Sequence, residues 1–181
     1  MTTRLYLAYG SNLNKRQMQW RCPGAKPIGK VLFQNAKLVF RGVADVIYSP
    51  GDAAPCGVWR ITPADERALD AYEGVGSGLY SKEEVELDNG RTALIYLMND
   101  TGVMPPSQRY ANTIRQGYKD FGLVVGYLDA AIAESYDDKR PSQITAARRA
   151  KQRVSNSDQV LVKMPEAVAM RRLAARNGGA A

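Results

Sequence analysis

A chain of 181 residues without a single histidine has few ways to move a proton near neutral pH. Ser–His and Cys–His nucleophile pairs are excluded, so acid–base chemistry falls to Glu, Asp, Lys, Tyr or a thiol. Two stretches hold residues placed for such work. In the first, the apolar run Leu5-Tyr6-Leu7-Ala8-Tyr9 breaks at Gly10 and passes through Ser11, Asn12 and Leu13 into a polar segment, Asn14 to Trp20. Gly10 lets a ligand approach the backbone and tolerates positive φ, while Ser11 and Asn12 suit a helix N-cap. The first N–H groups of a helix have no partner within it, and the helix dipole stands behind them. They suit a carboxylate, a phosphate or a developing oxyanion. In the second stretch, Glu73 stands at the end of an amphipathic helix, just before Gly74 and Val75. The dipole there disfavours a carboxylate, and Tyr72 and Val75 beside it would remove water. Both effects raise a carboxyl pKa, as a general base working near neutrality requires. Taken singly, each stretch also has an ordinary reading, as a strand-to-helix turn and as a solvated helix end.

The elements that must carry these residues follow from local punctuation and periodicity. A first strand feeds a short helix that Cys22-Pro23-Gly24 ends. Gly29 to Arg41 reads as one long strand, or as two strands bent about Asn35. Ala44 to Tyr48 reads as a short strand, Ser49-Pro50-Gly51-Asp52 as a turn, and Cys56 to Ile61 as a buried strand. Thr62 as N-cap, Pro63 at the first helical position and Asp65 and Glu66 in the first turn open a helix to about Tyr72. Leu79 to Leu87 and Thr92 to Met98 flank Asp88-Asn89-Gly90, a strong hairpin signal. Helices follow from Pro105-Pro106-Ser107 to Phe121 and from Leu123 to Tyr136. This order implies a mixed sheet that could close on itself, with helices outside.

Composition narrows the functional classes. Hydrophobic residues at 45% and charged residues at 24% are ordinary for one globular domain. No apolar run approaches the roughly 18 residues of a membrane span, and Leu5 to Tyr9 is too short for a signal peptide. The expectation is a cytoplasmic protein with no membrane partner. Cys22 and Cys56 stand apart without histidine, so no metal site is expected, and no cofactor motif stands out. Gly24 to Lys30 has the glycine spacing of a P-loop, but Pro27 interrupts it and Val31 replaces the hydroxyl residue. Gly74-Val75-Gly76-Ser77-Gly78 follows a helix instead of a strand and reads as a flexible connection. Of the net charge of +7, residues 137–181 carry +6, with ten Lys and Arg against four acids. Residues 1–136 therefore read as the main domain, and 137–181 as a basic C-terminal extension, helical or partly disordered.

Taken together, the two stretches resemble the gamma-glutamylcyclotransferase family. The resemblance rests on Tyr9-Gly10-Ser11-Asn12-Leu13 at a strand end and Leu69-Asp70-Ala71-Tyr72-Glu73-Gly74-Val75 further on. Arg21-Cys22-Pro23-Gly24-Ala25, Val39-Phe40-Arg41-Gly42, Gly57-Val58-Trp59, Gly78-Leu79-Tyr80 and Pro106-Ser107 with Tyr110 fit the same pattern. It covers roughly residues 4 to 127, short of the basic extension. The resemblance implies an α/β fold built as a small mixed β-barrel with flanking helices and one pocket. It also implies that the backbone of Tyr9, Gly10, Ser11, Asn12 and Leu13 cradles a γ-glutamyl group while Glu73 shuttles the proton. Tyr80 and Tyr110 would then be pocket walls. In the implied reaction, the α-amine of a γ-glutamyl amide attacks its own γ-carbonyl, making 5-oxoproline and releasing an amine. Such a step needs a base, oxyanion donors and a folded substrate, and needs no metal or cofactor. The leaving amine stays open among an amino acid, a dipeptide, a lysine ε-amine and a polyamine. A rival reading is a non-catalytic module that keeps the pocket, with the basic tail on nucleic acid. Charge runs without interleaved aromatics seldom specify such a site, so nucleic acid is not expected as a partner.

Overall fold

The computed structural model describes residues 2–100, 102–136, 160–164 and 168–170. Six strands, β1 (Arg4–Ala8), β2 (Lys26–Phe40), β3 (Ala44–Ile61), β4 (Tyr80–Glu86), β5 (Thr92–Met98) and β6 (Val160–Lys163), form one sheet. Their order is β4-β5-β1-β3-β2-β6. β1 runs parallel to β5, and β2 parallel to β6; the other neighbours are antiparallel. A bridge from Leu87, just past β4, to Val162 of β6 joins the two edges. The sheet therefore closes on itself as a mixed barrel, which leaves little unpaired edge. The helices α1 (Lys15–Arg21), α2 (Pro63–Tyr72), α3 (Gln108–Phe121) and α4 (Gly126–Tyr136) flank it.

β2 and β3 make one long hairpin where the sequence suggests several shorter pieces. Ser49 to Asp52 is no chain reversal: residues 49–52 bulge out of β3 opposite Asn35, and pairing resumes at Ala36 with Tyr48. Asn35 takes a φ of 54° and Gly51 one of 80°, and the Gly51 N–H donates to Asn35 Oδ1 at 3.2 Å. Both strands thus bend at the same level without ending.

β6 lies within the expected extension 137–181, yet it is the strand through which the barrel closes. Val162, Met164, Val168 and Ala169 are buried in the same core as β1 and β5. The basic positions Arg148, Arg149, Lys151, Arg153, Arg171, Arg172 and Arg176 lie outside the described residues.

Three local devices set up the candidate site. Thr62 and Asp65 cap α2 reciprocally, and Asp65 Oδ1 also accepts the Gly24 N–H at 3.1 Å, tying the start of α2 to the end of α1. Asp65 itself is buried. Leu13, fully buried, wedges between β3 and α3: a Cβ at Gly117 would sit 2.4 Å from Leu13 Cβ, and one at Gly57 would sit 2.9 Å from Leu13 Cδ2. Only glycines allow that approach, which clamps residues 10–14 from behind. Finally, Gly74 ends α2 at a φ of 65°. Residues 75–77 then form a 3₁₀ turn in which the Ser77 and Leu79 N–H groups both donate to Gly74 O, at 3.1 Å each. The glycine-rich stretch expected to be a flexible connection is therefore a hydrogen-bonded turn that aims Glu73.

Candidate active site

A cleft of about 150 Å³ opens where the end of β1, the turn after it and the end of α2 converge over β3, β4 and β5. Tyr9, Gly10, Ser11, Asn12, Glu73, Tyr80 and Tyr110, seven of the eight residues expected at the site, line it. Leu13, the eighth, does not: its side chain is the wedge behind the turn, because the chain has already reversed direction there.

The turn differs in detail from the helix start the sequence suggests. Ser11–Leu13 is a separate 3₁₀ turn, and the N-cap of α1 is Asn14, whose side chain accepts the Gln17 N–H. The dipole of α1 therefore does not begin at Ser11. The first bond of the turn runs from the Leu13 N–H to Gly10 O at 3.0 Å, so the N–H groups of Ser11 and Asn12 find no carbonyl within it. Gly10 keeps an ordinary φ of −107°. Its missing side chain makes space: a Cβ would sit 3.2 Å from Ala44 Cβ and 3.3 Å from the Tyr110 hydroxyl.

Glu73 caps the C-terminus of α2, its N–H donating to Leu69 O at 2.8 Å. Across the cleft, Asn12 Nδ2 donates to Glu73 Oε1 at 2.8 Å and to the Tyr6 hydroxyl at 2.8 Å. Removal from water pushes the Glu73 carboxyl up to about 7, against the Asn12 hydrogen bond and the Arg21 charge, which pull it down. Arg21 Nη1 donates to Asn12 Oδ1, and the guanidinium lies over the Tyr72 ring, 3.4 Å from its centroid. Ser11 Oγ lies 3.3 Å from the Tyr72 hydroxyl. Burial raises the Tyr6 hydroxyl far above the ordinary phenol value, and the nearby Glu73 charge adds to it. Tyr6 thus stays protonated, and no described residue accepts its proton.

The remaining tyrosines are walls. Tyr9 donates to Tyr96 O at 2.6 Å and Tyr80 to Ala44 O at 3.2 Å, while Tyr110 accepts the Ala44 N–H at 3.2 Å. Val43 of the β2–β3 connection and Ala44 at the start of β3 complete that side. Asp45 next to them is fully buried, paired with Arg41 Nε at 3.0 Å and accepting the Met98 N–H at 3.0 Å. This pair pins the wall to β5.

The sequence and the fold both have relatives among known proteins. The AIG2-like family model matches residues 56–130. Gamma-glutamylcyclotransferase of Homo sapiens is 34% identical over 141 residues, 69% of this chain and 75% of the human protein. This chain belongs to the gamma-glutamylcyclotransferase family. The Mus musculus gamma-glutamylcyclotransferase is 34% identical over 143 residues, 70% of this chain and 76% of the mouse protein. A solved gamma-glutamyl cyclotransferase superposes with a TM-score of 0.63 at 27% identity, covering 83% of this chain and 99% of that one. The mixed barrel described above is thus a gamma-glutamylcyclotransferase fold. Beyond the expected residues, this family member brings Tyr6, Tyr72, Tyr96 and Leu79 to the cleft and Arg21 to its rear. Tyr6 looks like any inward residue of a buried strand, and Arg21 like a solvated helix end. Only the convergence on Asn12 distinguishes them.

Proposed function

We propose that this cleft cyclises a γ-glutamyl amide to 5-oxoproline and a free amine, with Glu73 as proton shuttle and the Gly10–Asn12 backbone as the cradle. The observation that carries this reading is the pairing, across the cleft, of a water-poor carboxyl with a turn in which the Ser11 and Asn12 N–H groups have no carbonyl partner. In the resting site the Glu73 carboxylate takes a proton from the substrate's α-ammonium. The freed amine attacks the γ-carbonyl, closing a five-membered ring and placing charge on the carbonyl oxygen. The Ser11 and Asn12 N–H groups and the Tyr6 hydroxyl are donors within reach of charge developing there or on the α-carboxylate. The protonated Glu73 then returns its proton to the amide nitrogen, the C–N bond breaks, and the amine leaves. One carboxyl serves as base and then acid, and a pKa near 7 suits both duties. The small cleft holds the γ-glutamyl chain folded, which supplies the proximity the ring closure needs.

The test is a mass-spectrometric screen of γ-glutamyl amino acids, a γ-glutamyl dipeptide, an ε-(γ-glutamyl)lysine and a γ-glutamyl polyamine. The expected result is 5-oxoproline together with the matching amine from at least one of them. The same substrate acetylated on its α-amine should not react, because its nucleophile is gone. If the folded protein binds these compounds but releases no 5-oxoproline from any, the cleft is a binding module and the reading fails.

A further inference from the structure

Asn12 meets Glu73 with an amide, and an amide has two ends. In the arrangement found, both N–H bonds of Nδ2 are spent, one on Tyr6 and one on Glu73, while Oδ1 faces Arg21. Rotated by half a turn, the same amide would set its carbonyl oxygen against the carboxylate and its N–H bonds against the guanidinium. The first contact repels an ionised Glu73 and favours a protonated one; the second opposes donor to donor. The Tyr6 hydroxyl does not choose between the two, since a hydroxyl both donates and accepts. Arg21 does choose, because a guanidinium only donates.

We infer that Arg21 is a positioning residue that acts through Asn12, holding the amide so that its N–H meets Glu73 and the carboxylate is kept as a base. The inference rests on the cyclisation proposed above. Arg21 does not line the cleft, so this role is separate from substrate contact. It needs the shape of the group as well as its charge. One nitrogen reaches Asn12 while the flat face lies on the Tyr72 ring, and Tyr72 is the residue next to Glu73. A lysine ammonium offers neither the fork nor the stacking face. The position of Arg21 is itself fixed, since Asp65 ties the end of α1 to the start of α2. Around Glu73 the other ionisable groups are Tyr6 on β1, Tyr80 on β4, Tyr110 on α3 and its neighbour Tyr72. Burial raises the first three above the ordinary phenol value, so they remain neutral where Glu73 titrates. Asp45 stands behind Tyr80, and Asp70, a turn earlier on α2, is engaged by Lys82 and Tyr96. Arg21 is the one cation among the charges acting on Glu73 from the described residues.

The experiment follows the Glu73 carboxyl directly, by carbon-13 NMR of glutamate-labelled full-length protein against pH, with Glu73→Gln assigning the signal. Arg21→Met should raise the midpoint by about one unit, the scale of losing a neighbouring opposite charge. Arg21→Lys keeps the charge and should still raise it, by less. In an Asn12→Ala background, Arg21→Lys should move it no further, because no amide is left to orient. With a γ-glutamyl substrate from the screen, the acid limb of kcat/KM should shift in step with the NMR midpoint, costing Arg21→Met about five-fold at pH 7 from the lost base form. A folded Arg21→Lys variant with the parent's midpoint overturns the inference, as does an equal shift in both backgrounds. Should the parent turn over no γ-glutamyl compound, the proposed reaction fails, and the titration still decides whether Arg21 sets the ionisation of Glu73.

Discussion

Two carboxylates stand three residues apart at the end of one helix and lead opposite lives. Asp70 looks outward onto a network: its Oδ1 accepts the Tyr96 hydroxyl at 2.6 Å and its Oδ2 pairs with Lys82 at 2.9 Å. Lys82 also holds Glu66 at 2.7 Å, and Glu66 holds Arg4 at 2.9 Å. Glu73 looks into the cleft, where one amide N–H meets it and its own cation is set behind that amide. The residue types are nearly the same, and both belong to α2 or its cap. The difference lies in what has been taken away. Asp70 exchanges water for a cation and a phenol at direct contact, which leaves it a structural group. Glu73 loses water with no cation in direct contact among the described residues, which raises its carboxyl and suits it to the proton transfer proposed above.

The largest effect that separates the two concerns turnover. Glu73→Gln keeps size and hydrogen-bonding atoms but no basicity, so activity should fall by about 10²–10⁴-fold with the fold and γ-glutamyl binding retained. Steady-state kinetics and calorimetric titration measure these separately. A folded variant within about ten-fold of the parent would remove Glu73 from the mechanism.

The next effect is on stability, and its sign is opposite to that on activity. Glu73 has a carboxyl raised from 4.5 to about 7, so between these values the folded protein holds a proton that the unfolded chain has lost. The contribution is fully present below about pH 4.5, is lost as pH rises to about 7, and stays lost above it. Glu73→Gln should therefore be more stable than the parent at pH 8 by at most about 3 kcal/mol, with the difference vanishing near pH 4. Urea melts at the two pH values test this, and a gain that does not depend on pH would refute it.

Asp70 should behave the other way. Asp70→Asn weakens a partly exposed ion pair and one charge-assisted hydrogen bond, and should cost about 1–2 kcal/mol of stability. Its kcat should stay within about three-fold of the parent, since Asp70 touches no reacting atom; a loss near that of Glu73→Gln would reverse the two roles. Tyr96→Phe removes only the hydroxyl that Asp70 accepts, and should cost about 1 kcal/mol in the same urea melts. A cost above that of Asp70→Asn would mean the phenol has a second partner.

The sequence determined by itself whatever depends on near neighbours in the chain. Thr62, Pro63 and Asp65 announced the start of α2, Asp88-Asn89-Gly90 the β4–β5 hairpin, and Gly74 the stop that leaves Glu73 at a helix end. Caps and turns act within a few residues, so their signals survive without tertiary context. The same is true of the Tyr9-to-Asn12 turn and of the missing histidine, which together left a glutamate as the base to consider. Tertiary structure decided the rest. Whether a residue of that turn faces the ligand or the core depends on what packs behind it, and Gly57 and Gly117 put Leu13 in the core. Ser49-Pro50-Gly51-Asp52 has turn residues, yet the bend it shares with Asn35 keeps β3 in its ladder. β6 carries no mark of its partners, because a parallel strand recruited from far along the chain is chosen by the open edge of β2 and by the core space that Val162 fills. Arg21 and Glu73 meet at Asn12 because β1 pairs with β3, which leads into α2, and Asp65 pins α1 to α2. A proton site needs its groups within hydrogen-bond reach, and distance across a cleft is a property of the closed barrel, not of spacing along the chain.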